Sequence, residues 1–432
     1  LRSLFAKVFY TYDDRYLLEA GLRRDGSSLF GDGKKWGIFP SVAAGWNIDK
    51  EAFFNANFID AWKVRGSWGV LGNNNVDPYL YQSTIDAGNG TETVIGNPNL
   101  SWEKVKELNI GTDIHFKPGI SITAEWYDKL TTDMIITPQP NYTSGTGIGS
   151  GNNGAPINVG SVRNRGEEIK ISYHKVLGKE FIFDAGLGYS KNKSKILRLV
   201  GNGLPIISGN TIMYEGGSLK EFYGYATQGL LQQADIDNPK IMKLIGQAAG
   251  DVHFLNTNGD TIINNLDRVP LGNTEPTDVF FFNLDLSYKG FDFRTLLSGE
   301  SGAALFYSGN LAIPLNIGGE SGTPQKSQLD YWTPQNTTAS RPRLTPTPGT
   351  NANFSDFWRV NGRFLRVRYI ELGYNLPQPV ARKIRAKMLR VYFNAQNAFT
   401  FSKVKLFDPE SGGDQNTVPL LKAYTLGLNL KF

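Results

Sequence analysis

Ala423-Tyr424-Thr425-Leu426-Gly427-Leu428-Asn429-Leu430-Lys431-Phe432, the last ten residues of the chain, set every large apolar side chain two positions from the next. Successive side chains of an extended strand point to opposite faces. Tyr424, Leu426, Leu428, Leu430 and Phe432 therefore share one face, and Thr425, Gly427, Asn429 and Lys431 share the other. Apolar outside and polar inside is the pattern of a strand standing between lipid and a wet lumen. A strand of a soluble sandwich alternates too, so the weight falls on how often the pattern returns.

It returns in Tyr16, Leu18, Ala20 and Leu22, in Ile120, Ile122, Ala124 and Trp126, in Phe181, Phe183, Ala185, Leu187 and Tyr189, and in Phe280, Phe282, Leu284, Leu286 and Tyr288. The intervening residues include Glu19, Arg23, Thr123, Glu125, Asp184, Ser190, Asn283 and Asp285. A dry core would exclude such charges. The pattern predicts about thirteen strands, near 3–13, 15–25, 37–48, 59–70, 100–117, 120–136, 157–177, 180–198, 278–289, 291–301, 362–376, 388–402 and 421–432.

Composition supports an all-β reading. Glycine supplies 48 of the 432 residues, well above the usual share of about 7%. No run approaches the roughly 18 apolar residues that a spanning helix needs, so a membrane assignment rests on strands. The absence of cysteine excludes disulfides, thiol catalysis and thiolate metal sites. A net charge of +5, with both signs interspersed, gives no basis for nucleic-acid binding.

The connections alternate in length. Asp13-Asp14, Lys117-Pro118-Gly119, Gly178-Lys179 and Lys289-Gly290 are tight, whereas 71–99, 137–156, 199–277 and 302–361 are long. Tight turns at one end and long loops at the other are a feature of bacterial outer-membrane barrels. The short side also takes 49–58 and 377–387, the latter with a helical turn beginning at Pro377. Such barrels have even strand numbers. Thirteen strands and a start at Leu1, without a leader, lead us to expect the C-terminal part of a longer barrel.

Several blocks carry a family likeness. They are Gly21-Leu22-Arg23-Arg24-Asp25-Gly26-Ser27-Ser28 followed by Phe39-Pro40-Ser41-Val42-Ala43-Ala44-Gly45-Trp46, then Gly66-Ser67-Trp68-Gly69. Asn97-Pro98-Asn99-Leu100-Ser101-Trp102-Glu103, Asn164-Arg165-Gly166-Glu167-Glu168 and Leu372-Gly373-Tyr374-Asn375-Leu376-Pro377 follow in order. Together they resemble the SusC/RagA family of TonB-dependent outer-membrane transporters from Bacteroidetes. The resemblance implies a barrel of about 22 strands, an N-terminal plug that lies outside these residues, and opening through the TonB complex. It also implies a SusD-like surface lipoprotein as lid, and a glycan or peptide as cargo.

The final strand also resembles a barrel insertion signal, carried by Thr425, Gly427, Leu430 and Phe432. Asn256, Asn258, Asp260, the carbonyl of Ile262, Asn264 and Asp267 follow the oxygen spacing of a calcium loop. Asn at the first position and Thr261 where glycine is wanted leave two carboxylates, so calcium is a candidate cofactor beside a plain Asx-turn reading. His115, His174 and His253 lie far apart and outside any catalytic motif. Gly149-Ser150-Gly151-Asn152-Asn153-Gly154 fits G-x-G-x-x-G but sits in a polar loop without a following helix signal. Loop aromatics such as Tyr79, Tyr81, Tyr142, Tyr214, Phe222, Tyr223, Tyr225, Tyr307, Tyr331 and Trp332 could grip a ligand or anchor the loops.

The expectation is active import of a bulky nutrient across the outer membrane, with no enzymatic activity. An outer-membrane enzyme or an adhesion and assembly anchor are the alternatives. An upstream plug would discriminate among them.

Overall fold

The computed structural model describes residues 1–85, 88, 92–94, 96–137, 155–178, 180–200, 203–312, 326–345, 349–413 and 417–432. Thirteen strands form one antiparallel sheet in which each strand pairs with its neighbours in sequence order. They are β1 (Arg2–Tyr12), β2 (Tyr16–Gly26), β3 (Trp36–Asn47), β4 (Ile59–Asn73), β5 (Glu103–Phe116), β6 (Ile120–Ile136) and β7 (Ile157–Leu177). The rest are β8 (Phe181–Arg198), β9 (Asp278–Tyr288), β10 (Phe291–Ser301), β11 (Phe364–Asn375), β12 (Met388–Ser402) and β13 (Ala423–Lys431). Every strand expected from alternation is present, in the expected order.

Local chemistry fixes the tight end. Asp13 and Asp14 have φ of 51°, and Lys289 and Gly290 have φ of 47° and 87°. Hairpin turns that match strand twist need such left-handed residues. The helical turn expected on this side is a short helix, Gln378–Lys383, with proline in its first turn. The fifth strand starts at Glu103, three residues later than expected. Leu100 and Trp102 are instead buried with Phe30 and Phe39, and the Asn97 carboxamide turns the chain by accepting from the Asn99 amide at 2.9 Å.

Register sorts side chains into rows. On the apolar face, Ile122, Ile171, Leu187 and Phe282 are consecutive cross-strand partners, as are Ala124, Ile169, Tyr189 and Phe280. On the opposite face, glycines make room for rings from the neighbouring strand. A Cβ on Gly427 would lie 2.2 Å from Tyr392 Cζ, and one on Gly166 would lie 2.3 Å from the Tyr127 hydroxyl oxygen. Buried apolar clusters lie mostly at the long-loop end, around Trp102, Phe254, Ile196 and Trp358.

The Tyr392 contact generates a test of the last strand pairing. Gly427→Val should lower the amount of heat-modifiable barrel in outer membranes several-fold, and Tyr392→Ala in the same chain should restore part of it. A Gly427→Val protein that assembles normally would show that the ring does not occupy this site.

Candidate functional site

The polar face carries a lattice of ion pairs. On β4–β6, Arg65 Nε donates to Asp113 Oδ2 at 3.0 Å and its Nη2 donates to Glu125. The Thr123 hydroxyl donates to Asp113 at 2.9 Å, and Asn109 donates to Glu125 at 3.2 Å. On β10–β12, Arg390 Nε donates to Asp292 Oδ1 at 2.9 Å, its Nη2 donates to Glu371 at 2.6 Å, and Tyr369 donates its hydroxyl to the same Glu371. Each guanidinium spans two strands. Bidentate and shared arginine contacts hold geometry better than lysine contacts would, so the face is a braced polar wall with both signs of charge.

Above this wall the long loops form a folded platform. Residues 206–208, 211–213, 221–225 and 268–273 make a four-stranded sheet, while Ala304–Phe306 pairs with Arg359–Asn361. Asp251, almost fully buried, joins the two longest loops. Its carboxylate accepts from Arg343 Nε at 2.7 Å, Arg343 Nη2 at 3.1 Å, Asn351 Nδ2 at 2.9 Å and the Ala248 amide at 2.8 Å. The loop between β12 and β13 is held to β11 by Arg366, only 2% exposed, which donates to Asp408 at 2.6 Å. Tyr307 also meets Phe407 edge-on at 5.8 Å.

Most of the described loop aromatics serve this platform. Phe222 packs on Phe306 and Phe354, with ring centroids 4.7 and 5.7 Å away. Tyr225 meets Phe254 at 5.3 Å, the Arg268 guanidinium lies 4.5 Å from the Tyr223 ring, and Trp332 Nε1 donates to Gln232 at 3.1 Å. Tyr79 stays largely exposed. Tyr142 and the Gly149–Gly154 loop lie outside the described residues.

The loop from Asn256 to Asp267 closes on its own amides. Asn256 Oδ1 accepts from Gly259, Asn258 Oδ1 from Asp260, Asp260 Oδ1 from Ile262 and Asn264 Oδ1 from Leu266, all at 2.7–2.8 Å. Asp267 is fully buried and accepts from the amides of Thr257 and Asn264 at 2.8 Å and from Asn258 at 3.4 Å. No group of three acidic or histidine side chains gathers as a metal site among the described residues. Both carboxylates of the loop, Asp260 and Asp267, thus accept from backbone amides in the manner of Asx-turns.

Thr425, Gly427 and Leu430 pair with Asn394, Tyr392 and Leu389 on β12, and the carbonyl of exposed Phe432 accepts from Lys387 Nζ at 3.0 Å. The histidines have separate settings. His115 Nδ1 lies 2.8 Å from the Ser121 hydroxyl, His174 Nδ1 lies 2.5 Å from Asp184, and burial pushes the His253 imidazole below its ordinary value. Sequence reading missed the loop sheets and the Asp251 junction. Asp251 and Arg343 are 92 positions apart, and no local signal links them.

A family model described as TonB dependent receptor-like, beta-barrel, matches residues 2–404. TonB-dependent receptor P3 of Formosa agariphila is 29% identical over 468 positions, covering all of this chain and 45% of that protein. TonB-dependent receptor SusC of Bacteroides thetaiotaomicron is 29% identical over 465 positions, again across all of this chain and 44% of the relative. The solved RagAB peptide transporter matches with a TM-score of 0.83 at 25% identity, over all of this chain and 47% of that one. The chain thus spans about half the length of the relatives it matches. The sequential thirteen-stranded sheet and these likenesses together show that the chain belongs to the TonB-dependent receptor β-barrel family, in its SusC/RagA branch.

Proposed function

We propose that this chain is the C-terminal barrel portion of an outer-membrane importer for a bulky nutrient, a glycan or peptide oligomer, energised through the TonB complex. The observation that carries the reading is the division of one sheet into an apolar face and an ion-paired face, with every long loop at the same end. An apolar exterior suits lipid, and a wall with alternating charge suits a polar solute passing through water. The RagAB relative is described as a peptide transporter, which supports cargo of this class.

The fused loops are the proposed seat of a SusD-like lipoprotein lid. A surface whose loops are already tied to one another by Asp251 and to β11 by Arg366 loses little entropy on docking. Loop 302–361 contributes Arg343 and Asn351 to that junction and is the proposed firm side of the hinge. The Asn256–Asp267 loop belongs to the same platform, and we propose that it keeps its shape without a cation.

Three measurements check this reading on the full-length protein. In intact cells, Ser208→Cys should react with an impermeant maleimide and Lys289→Cys should not, and the reverse would invert the topology. A lipoprotein should co-purify with the parent and be lost when loop 302–361 is shortened. Equal retention after the deletion would remove the docking site. Millimolar calcium or a chelator should leave the heat stability of the loops unchanged, and a clear shift would restore calcium as a ligand.

A further inference from the structure

The apolar face of the sheet ends abruptly on β5–β8. Counting rows away from the tight turns, the rows through Ile122 and Ile169 carry no charge and are apolar but for Thr112, and the next contains Ile110, Trp126, Glu167, Lys191 and Asp278. The row beyond contains Leu108, Asp128, Arg165 and Lys193, and the one after that Lys106, Leu130, Arg163 and Lys195. Charge therefore begins at one level, on the long-loop side.

That charge is unbalanced. Lys191 stands opposite Glu167 and 4.0 Å from Asp278, and both Arg163 and Arg165 approach Asp128, at 3.2 and 2.8 Å. Three carboxylates thereby serve the two arginines and Lys191. Lys193 and Lys195 are exposed and make no ion pair among the described residues, yet each is the direct cross-strand partner of an arginine, Arg165 and Arg163 respectively. Like charges placed directly opposite one another destabilise a sheet. Arg163 Nε and Asp128 Oδ1 face each other at 3.2 Å without the alignment of a hydrogen bond, so this ion pair is a loose one. Two stacked like-charge pairs, with two lysines outside any ion pair among the described residues, describe a surface with an excess of positive charge.

We propose that this patch binds the phosphorylated headgroup of an anionic glycolipid in the outer leaflet. The position selects a lipid over a soluble anion. The apolar rows directly beneath would lie along its acyl chains, and Trp126 and the Tyr189 hydroxyl stand at the boundary where interfacial aromatics collect. Basic side chains at a headgroup level attract anionic lipid additively. The inference rests on the outer-membrane reading of the preceding section.

The experiment uses the full-length protein extracted from outer membranes in mild detergent, with phosphorylated lipid A quantified by mass spectrometry. The double variant Lys193→Gln, Lys195→Gln should retain roughly tenfold less lipid A than the parent. Lys170→Gln, on the opposite face, should retain as much as the parent. Equal retention by the double variant overturns the proposal. Failure of the parent to reach the outer membrane would instead overturn the location on which it rests.

Folding is controlled by refolding parent and double variant into phosphatidylcholine vesicles with and without lipid A. Without lipid A the variant should melt no lower than the parent, because the like-charge pairs are relieved. With it, the parent's midpoint should rise and the variant's should not. A variant that is less stable in phosphatidylcholine alone would make the lysines structural and sink the assignment. Inorganic phosphate is the last arm, and a rise of the same size with phosphate alone would replace the lipid by a free anion.

Discussion

Every peptide group that stands in hydrocarbon must find its hydrogen-bond partner within the protein, since no water is there to supply one. The sequential antiparallel sheet meets that demand strand by strand, and the other features follow from it. Because pairing occupies the backbone, side chains alone distinguish the two faces, and the period of two decides which residue meets which medium. The ion-paired face around Arg65 and Arg390 is compatible with a wet interior, where neither ion is fully desolvated.

The loops obey a different physics. They stand outside the constraint of the bilayer and build buried apolar clusters of the kind a soluble domain has, around Phe306, Phe254 and Trp102. Their polar junctions are correspondingly drier. Asp251 is satisfied by four donors, and Arg366 is buried against Asp408. Removing one partner from such a pair leaves an uncompensated buried charge, which costs about 3–5 kcal/mol. The platform is thus expected to respond as a unit rather than loop by loop.

The strands were legible in the sequence because alternation is a local signal that the bilayer amplifies. Tyr424 to Phe432 and Phe181 to Tyr189 state their faces without reference to any partner. Boundaries shifted where a loop captured a residue, as with Leu100 and Trp102. The junction at Asp251 could not be read, since an isolated Asp, Arg and Asn have no periodicity and meet only after both loops fold. Asx spacing at Asn256–Asp267 was visible, but spacing alone does not tell whether the oxygens face a cation or the loop's own amides. The basic rows on the outer face were missed for a related reason. Arg163, Arg165, Lys193 and Lys195 look like ordinary surface charge until register places them opposite one another.

The rings lying over glycines have a consequence for folding fidelity. A slip of one residue would turn a strand inside out, and alternation forbids it. A slip of two preserves both faces, so hydrophobicity alone is blind to that error. The glycine notches are not. Moving β13 by two residues would bring the Tyr392 ring against Thr425 or Asn429, and moving β7 likewise would bring Tyr127 against Asn164 or Glu168. Each notch accepts its ring at one height, so these pairs act as vernier marks that set the vertical alignment of neighbouring strands, and with it the tilt of the wall they form.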